Sequence, residues 1–273
     1  MAAAPPSAPR FGHLLPPPPT ERRGIPLYYD KTEDETRRDV YERYDELVTR
    51  QTLLHLCDSL HGGYPLQPLL DYISRWLPNR PCISIADIGC SVGRLIGEFA
   101  TLHPDWDCYG IDFSYQMLRQ ARDYWVLGKT LAPNLLRFGY PLTELNGRLL
   151  PNLHFALADA CRLPFPNGSL DLLWSTFLID RLNDIPAATG EWQRVVRPGG
   201  RLVMVSPLNF LRVEQWKNHH PPIKLIDHLL HTGWKLIDLT DPLLLFEPMD
   251  ARGNQVRWHT FAVVLQKAAG GPG

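Results

Sequence analysis

Charge of neither sign is in excess in this chain. Its 28 Lys and Arg stand against 29 Asp and Glu, for a formal net charge of −1, and no basic cluster breaks the balance. A nucleic-acid partner calls for a basic face to meet phosphates, so none is expected. Also absent is any apolar run near the roughly 20 residues that cross a bilayer. The N-terminus lacks the cationic, apolar and small-residue order of a signal peptide. No membrane partner is therefore expected, and the location is expected to be cytoplasmic. Cysteine is scarce and odd in number: Cys57, Cys82, Cys90, Cys108 and Cys161, with no CxxC pair. That pattern argues against a disulfide framework and against a zinc knuckle. His219, His220, His228 and His231 have no carboxylate at a recognisable ligand spacing, so no resident metal is expected.

Proline is plentiful, and at the start it is concentrated. Pro5, Pro6, Pro9 and the run Pro16 to Pro19 favour extended, solvated backbone, so residues 1–24 are expected to form a disordered tail. Residues 268–273 receive the same reading. What lies between has ordinary globular composition, 44% hydrophobic and 21% charged over the whole chain, and is expected to be a single domain, a monomer or a homodimer.

Within 25–267 the first part, 25–80, reads as a helical lead-in or lid. A helical pattern runs from 34 to 60, stopped by Gly62-Gly63, and a second helix covers 65–77. From 81 the pattern alternates. Strands are predicted at 82–87, 107–112, 153–157, 170–175 and 201–205, with helices at 93–102, 114–127 and 185–196 between them. A helix at 223–232 and strands at 234–239 and 256–266 follow. The stretch 128–152, broken by Pro133, Gly139, Pro141 and Gly147, reads as an insertion or long loop. Seven strands with helices between the first five describe a Rossmann-like, doubly wound α/β sheet that finishes in a hairpin.

The first predicted strand runs into Asp87-Ile88-Gly89-Cys90-Ser91-Val92-Gly93. A strand, a glycine turn and a helix N-terminus in succession bring backbone N–H groups close to a nucleotide-type ligand. A dinucleotide fingerprint has a glycine where Ser91 stands, because backbone must approach a pyrophosphate there. Its absence argues against NAD or FAD. Asp112, at the end of the next strand, is placed to accept both hydroxyls of a ribose, and Asp159, past the strand after that, to hold an adenine amino group. Ribose and adenine without phosphate point to S-adenosylmethionine, with S-adenosylhomocysteine as product.

These segments, ADIGCSVGR, GIDFS, LADACRLPF, LDLLWST and RVVRPGGRLVMVSP, resemble in content and order the class I S-adenosylmethionine-dependent methyltransferases. The resemblance implies that Gly89 and Gly93, with Ser91, line the methionine moiety and that Asp87 orients the turn or meets the ligand's amino group. It implies further that Phe113 and Met117 flank the adenine, with Ser114, Asp159 and Ala160 at its edge and Ser175 beside the donor.

The acceptor is expected above the carboxyl ends of the strands. FLIDRLND, the PGG and SP turns, His259-Thr260-Phe261-Ala262 in the last strand and YDELVTRQTLLHL in the lead-in are similar to the imidazole N-methyltransferase domain of ovothiol biosynthesis and, more distantly, to carnosine N-methyltransferases. That resemblance implies a small-molecule acceptor, the imidazole of a histidine derivative bearing sulfur or selenium (ovothiol or ovoselenol type). It puts Asp180 on the ring, where a carboxylate fixes the tautomer and raises the basicity of the other nitrogen, and gives His259 a second catalytic role. Tyr44, Phe177, Arg181, Asn209 and Trp258 are the candidate acceptor contacts, and strand alternation allows only one of Trp258 and His259 to face inward. The carnosine enzymes have Tyr-His where this chain has Asn209-Phe210. Another acceptor, such as a quinone precursor or an amine, and a noncatalytic binding module are the alternatives.

Overall fold

The computed structural model describes residues 14–268. Its centre is a run of parallel strands, β3 (Ser84–Ile88), β4 (Asp107–Asp112), β5 (Leu153–Leu157), β6 (Leu170–Thr176) and β7 (Val196–Ser206), joined by α5 (Arg94–Leu102), α6 (Tyr115–Trp125) and α7 (Ile185–Val195). Buried strands of this kind need apolar cover on both faces. Phe99, Leu118 and Tyr72 supply it on one side, and Trp192, Leu225 and Leu229 on the other. The chain then passes through α8 (Val213–His219) and α9 (Ile223–His231) into an antiparallel hairpin, β8 (Trp234–Pro248) and β9 (Gln255–Lys267). The expected Rossmann-like α/β fold is present.

Among the described residues the sheet has nine strands, in the order β1-β2-β5-β4-β3-β6-β7-β9-β8, where β1 is Thr20–Arg22 and β2 is Ile25–Leu27. Strand β1 lies within 1–24 and corrects the reading of that stretch as a disordered tail where it is described, from residue 14 on. Residues 1–13 lie outside the described residues, but Leu14 and Leu15 pack on the core, the Tyr28 hydroxyl donates to the Pro16 carbonyl, and β2 joins β5. Proline removes backbone donors without preventing an extended segment from docking. At the other end, 269–273 are likewise outside the described residues.

The first helix expected in the lead-in, 34–60, is divided into α1 (Glu33–Arg38), α2 (Val40–Arg43) and α3 (Asp45–Leu56), and the second is α4 (Gln67–Ser74). Asp39 causes the first break. It is the C-cap of α1 and the N-cap of α2, and its carboxylate accepts the Tyr41 N–H, a local bond that competes with continued helix.

The hairpin is longer than its prolines imply. Pro242 and Pro248 lie within β8, at the sheet's outer edge, where a missing N–H breaks no ladder on the open side. Strand β7 ends at Ser206, paired with Phe261, whereas β8 and β9 go on pairing from Leu243–Thr260 to Pro248–Gln255. At about 3.4 Å per residue, the hairpin overhangs the carboxyl ends of the parallel strands by roughly 20 Å. This arm meets the lead-in and the 128–152 insertion, since Arg50 donates to Met249 Sδ and the Ala251 N–H to the Phe138 carbonyl. The insertion is anchored by a Leu131–Leu145 bridge and by buried Leu135 and Tyr140.

Candidate active site

After β3 the chain turns through Gly89 (φ 82°), Ser91 (φ 52°) and Gly93 (φ 77°). Left-handed backbone at Ser91 is uncommon for a residue with a Cβ, and Asp112 holds it there. One Asp112 oxygen accepts the Ser91 N–H at 2.8 Å and the other the Ser114 N–H at 2.8 Å. Each oxygen retains acceptor capacity, and Asp112 is only partly buried, so ribose hydroxyls have a place to donate. The two glycines serve different ends. A Cβ on Gly93 would stand 2.6 Å from Phe155 Cζ, inside the fold, whereas one on Gly89 would stand 3.2 Å from Leu178 Cδ2, in the loop after β6.

Asp87 lies beneath this turn and is 1% exposed. Burial, with the charge of Asp112 adding to it, pushes its carboxyl up to about 8; the Trp174 indole beside it pulls the other way. No geometrically complete hydrogen bond joins the two, and Asp87 Oδ1 has no partner. A buried acceptor without a donor is costly, and an ammonium arriving at the turn would supply one. Ser175, the neighbour of Ile88 across β6, likewise buries a hydroxyl without a partner. The donor set therefore fits the methionine end of S-adenosylmethionine.

On the adenine side the expected residues divide. Phe113 is partly exposed, with the Tyr29 ring at 5.2 Å and Lys31 Nζ 4.4 Å from its centroid. Asp159 is also partly exposed, one oxygen accepting the Cys161 N–H. Met117 and Ala160 are buried, and Ser114 is the N-cap of α6, its hydroxyl accepting the Met117 N–H.

Across the turn, the acceptor side is built by loops and by the arm. Phe177 takes a left-handed φ of 54° and meets the Trp258 ring edge-on at 5.5 Å. Trp258 faces inward and donates its indole N–H to Glu247 at 2.9 Å. Alternation therefore turns His259 outward, where it is exposed, which corrects its expected catalytic position. Tyr44 is also misplaced by the sequence reading. It is 48% exposed and lies under Arg43, because the helix break rotates Tyr41 inward instead. Tyr41 packs on the core, and its phenol is pushed up by burial and by the charges of Asp112 and Glu247, with Arg181 opposing.

Asp180 has another task than the expected one. It is 0% exposed, one oxygen accepts the Ser206 hydroxyl at 2.9 Å and the other the Asn209 N–H at 3.1 Å. It ties the loop after β6 to the loop after β7 and is fully enclosed there. Arg181 is 3.8 Å from it and exposed, as is Asn209.

Sequence reasoning missed Glu247, Arg50 and Arg94. Arg94, at the position of a fingerprint's last glycine, is 8% exposed and bonds the Asp58 carboxylate and the His55 carbonyl, clamping the lead-in to the turn. Its single charge among neutral neighbours was the available signal. No group of three or more His, Cys, Asp or Glu among the described residues is arranged to hold a metal, and no helix among them is long and apolar enough to cross a membrane.

Residues 86–204 match the family model of the methyltransferase domain. The chain carries a methyltransferase domain of class I fold. Domain and fold make S-adenosylmethionine its methyl donor. Among curated proteins it is similar to an O-methyltransferase of Pyrenophora dematioidea, 28% identical over 251 residues, covering 81% of this chain and 86% of that one. A demethylmenaquinone methyltransferase of Thermus thermophilus is 34% identical over 94 residues, 34% of this chain and 41% of that one. A 37.1 kDa transposon protein of Streptomyces fradiae matches at 33% identity over 48% of this chain, which spans 32% of that protein. In solved structures the cyclase SpnF superposes with a TM-score of 0.54 at 16% identity, over 82% of this chain and 97% of that one. A methyltransferase of Haloferax volcanii bound to its Trm112 activator gives 0.52 at 14% identity, over 77% and 92%. At such identities the structures speak for fold alone.

Proposed function

We propose that this methyltransferase domain acts on a small molecule and transfers the methyl group to a ring nitrogen of a histidine-derived imidazole bearing sulfur or selenium. The observation that carries the proposal is the corner formed by Phe177 and Trp258 under the overhanging arm, with Glu247 and Tyr41 beside it. Two apolar ring faces with a carboxylate at their edge favour a flat acceptor that carries N–H. The resemblance of FLIDRLND and HTFA to imidazole methyltransferases supports the same class.

The bound donor supplies an activated methyl on a sulfonium. The chain's own contribution is placement. Ser91 and Asp112 hold the donor's turn, Asp180 pins together the two loops that flank the acceptor, and the Phe177–Trp258 corner sets the ring's plane. Bringing nucleophile and methyl to about 3 Å in line accounts for much of the acceleration such a site can give.

An oxygen acceptor is the second reading, favoured by a relative that covers most of this chain and is named an O-methyltransferase. Incubation with the donor and a panel of histidine, thiol-histidine, selenol-histidine, carnosine, a catechol and a small carboxylic acid, read by mass spectrometry, separates the two. Methylation of thiol- or selenol-histidine on nitrogen is expected. Methylation of the oxygen acceptors alone, with S-adenosylhomocysteine binding intact, overturns the imidazole reading.

A further inference from the structure

We infer that Glu247, on the inner face of the overhanging arm, is the carboxylate that receives the acceptor's N–H and takes up the positive charge that methylation leaves on the ring. The inference rests on the reading of the acceptor as a nitrogen heterocycle and assigns the residue that recognises it.

A ring nitrogen that attacks a sulfonium becomes part of a cation, so a carboxylate near it lowers the energy of the charge as it develops. Several carboxylates lie at this end of the sheet, and most are committed. Asp180 is fully buried with both oxygens bonded. Asp39 holds Lys31 and the Tyr41 N–H, and Glu42 holds the Tyr115 N–H with Lys31 at 3.5 Å. Asp112 is set across the donor's turn, and Asp87 keeps its open oxygen beneath that turn, in β3 rather than on the acceptor side.

Glu247 differs in placement. It shares the inner face of the arm with Leu243 and Leu245, four and two residues away, opposite Val256 in register, and its neighbour Phe246 is turned out to solvent. One of its oxygens accepts the Trp258 indole N–H at 2.9 Å, which fixes the carboxylate against the ring that forms the acceptor corner. The other is 3.7 Å from Arg50 Nη2, too far for a hydrogen bond, while that guanidinium donates instead to Met249 Sδ. The side chain is 17% exposed, so a ligand can reach it. The Tyr41 phenol feels Glu247 and Asp112 together, which puts the carboxylate within electrostatic range of the donor's ribose end.

The balanced step follows from these positions. The lone pair of one ring nitrogen forms the N–C bond as the C–S bond breaks. Its electron pair stays on sulfur, and the positive charge passes from sulfonium to imidazolium. The proton on the other nitrogen, hydrogen-bonded to Glu247, passes to that carboxylate and then to solvent, leaving a neutral methylimidazole.

The test compares wild type, Glu247→Gln and Glu247→Asp on thiol-histidine across a pH series, with the rise in melting temperature on adding S-adenosylhomocysteine as the check of fold and donor site. Glu247→Gln keeps an acceptor for Trp258 and removes only the charge. It is expected to lower kcat by about 100-fold at each pH, while the melting shift is unchanged. Glu247→Asp is expected to recover part of the loss. Turnover of Glu247→Gln within about twofold of wild type, with thiol-histidine still methylated, overturns this inference and leaves the proposed function standing. Failure of wild type to methylate any nitrogen acceptor, with the melting shift present, overturns both.

Discussion

A carboxyl held at about 8 inside the fold makes donor binding a proton-release reaction. Asp87 has an ordinary value of 3.8 and is raised by burial first and by Asp112 second. Between about pH 4 and pH 8 the folded protein therefore carries a proton there that the unfolded chain has lost. Stability from this group is highest at the acid end of that window and falls as pH rises through it, by up to about 1.4 kcal/mol per pH unit. Binding reverses the local balance. An ammonium beside Asp87 Oδ1, which has no other partner, favours the carboxylate and draws its pKa back down. Near pH 6.5, S-adenosylhomocysteine, which carries the same ammonium, should bind with release of close to one proton, and its affinity should climb by up to about tenfold per pH unit as pH approaches 8.

Calorimetric titration at one pH in buffers of differing ionisation enthalpy gives the number of protons released directly. Asp112 is also raised by burial, against the pull of the Ser114 and Ser91 N–H groups, so it contributes in the same direction. The comparison that isolates Asp87 is with Asp87→Asn, which should release fewer protons by nearly one. It should also flatten the fall in stability between pH 5 and pH 8 by the same amount. Equal proton release in the two proteins, both binding the ligand, would refute the assignment of Asp87 to the ammonium.

Two further substitutions test the turn and the loops. Gly93→Ala places a Cβ in left-handed backbone, at about 1–2 kcal/mol, and against Phe155 Cζ at 2.6 Å, at about 1–3 kcal/mol. Urea denaturation should show a loss of about 2–5 kcal/mol, partly restored by Phe155→Leu in the same chain; a loss below about 1 kcal/mol refutes the packing account. Asp180→Asn turns an amide donor toward either the Ser206 hydroxyl or the Asn209 N–H, and should cost about 1–3 kcal/mol of stability. An Asp180→Asn protein as stable as wild type but inactive would instead return Asp180 to the ring-holding role that the resemblance implies.

The expected donor residues could be read in sequence order because the fold brings consecutive strand ends together. Asp87, Gly89, Gly93, Asp112 and Asp159 each sit at or just past a strand that the hydrophobic pattern reveals, and a parallel sheet brings such ends together. Boundaries failed where a side chain or an edge altered the local rule. Asp39 captured the Tyr41 N–H and divided a helix, so that Tyr41 rather than Tyr44 came to face the core. Pro242 and Pro248 looked like loop residues, yet β8 lies at the sheet's edge and keeps them.

The acceptor half was less legible for a different reason. Its parts come from α2 and α3, the loop after β6 and the arm, and no local pattern links residues 41, 50, 177, 247 and 258. The motif carrying Asp180 lies at a loop crossing, where its carboxylate binds the two loops together. Ser206 and Asn209 use both oxygens of Asp180, whereas Trp258 uses one of Glu247. The placement of Glu247 sets it apart, since its side chain is partly exposed whereas Asp180 is fully enclosed. That placement depends on the register of β8 against β9, in which Glu247 faces Val256 two residues from Trp258. A slip of one residue in that pairing would turn Glu247 outward and Phe246 inward. The proposed acceptor carboxylate is thus placed by the pairing of an arm beyond the sheet, while the expected donor residues are placed by the sheet itself.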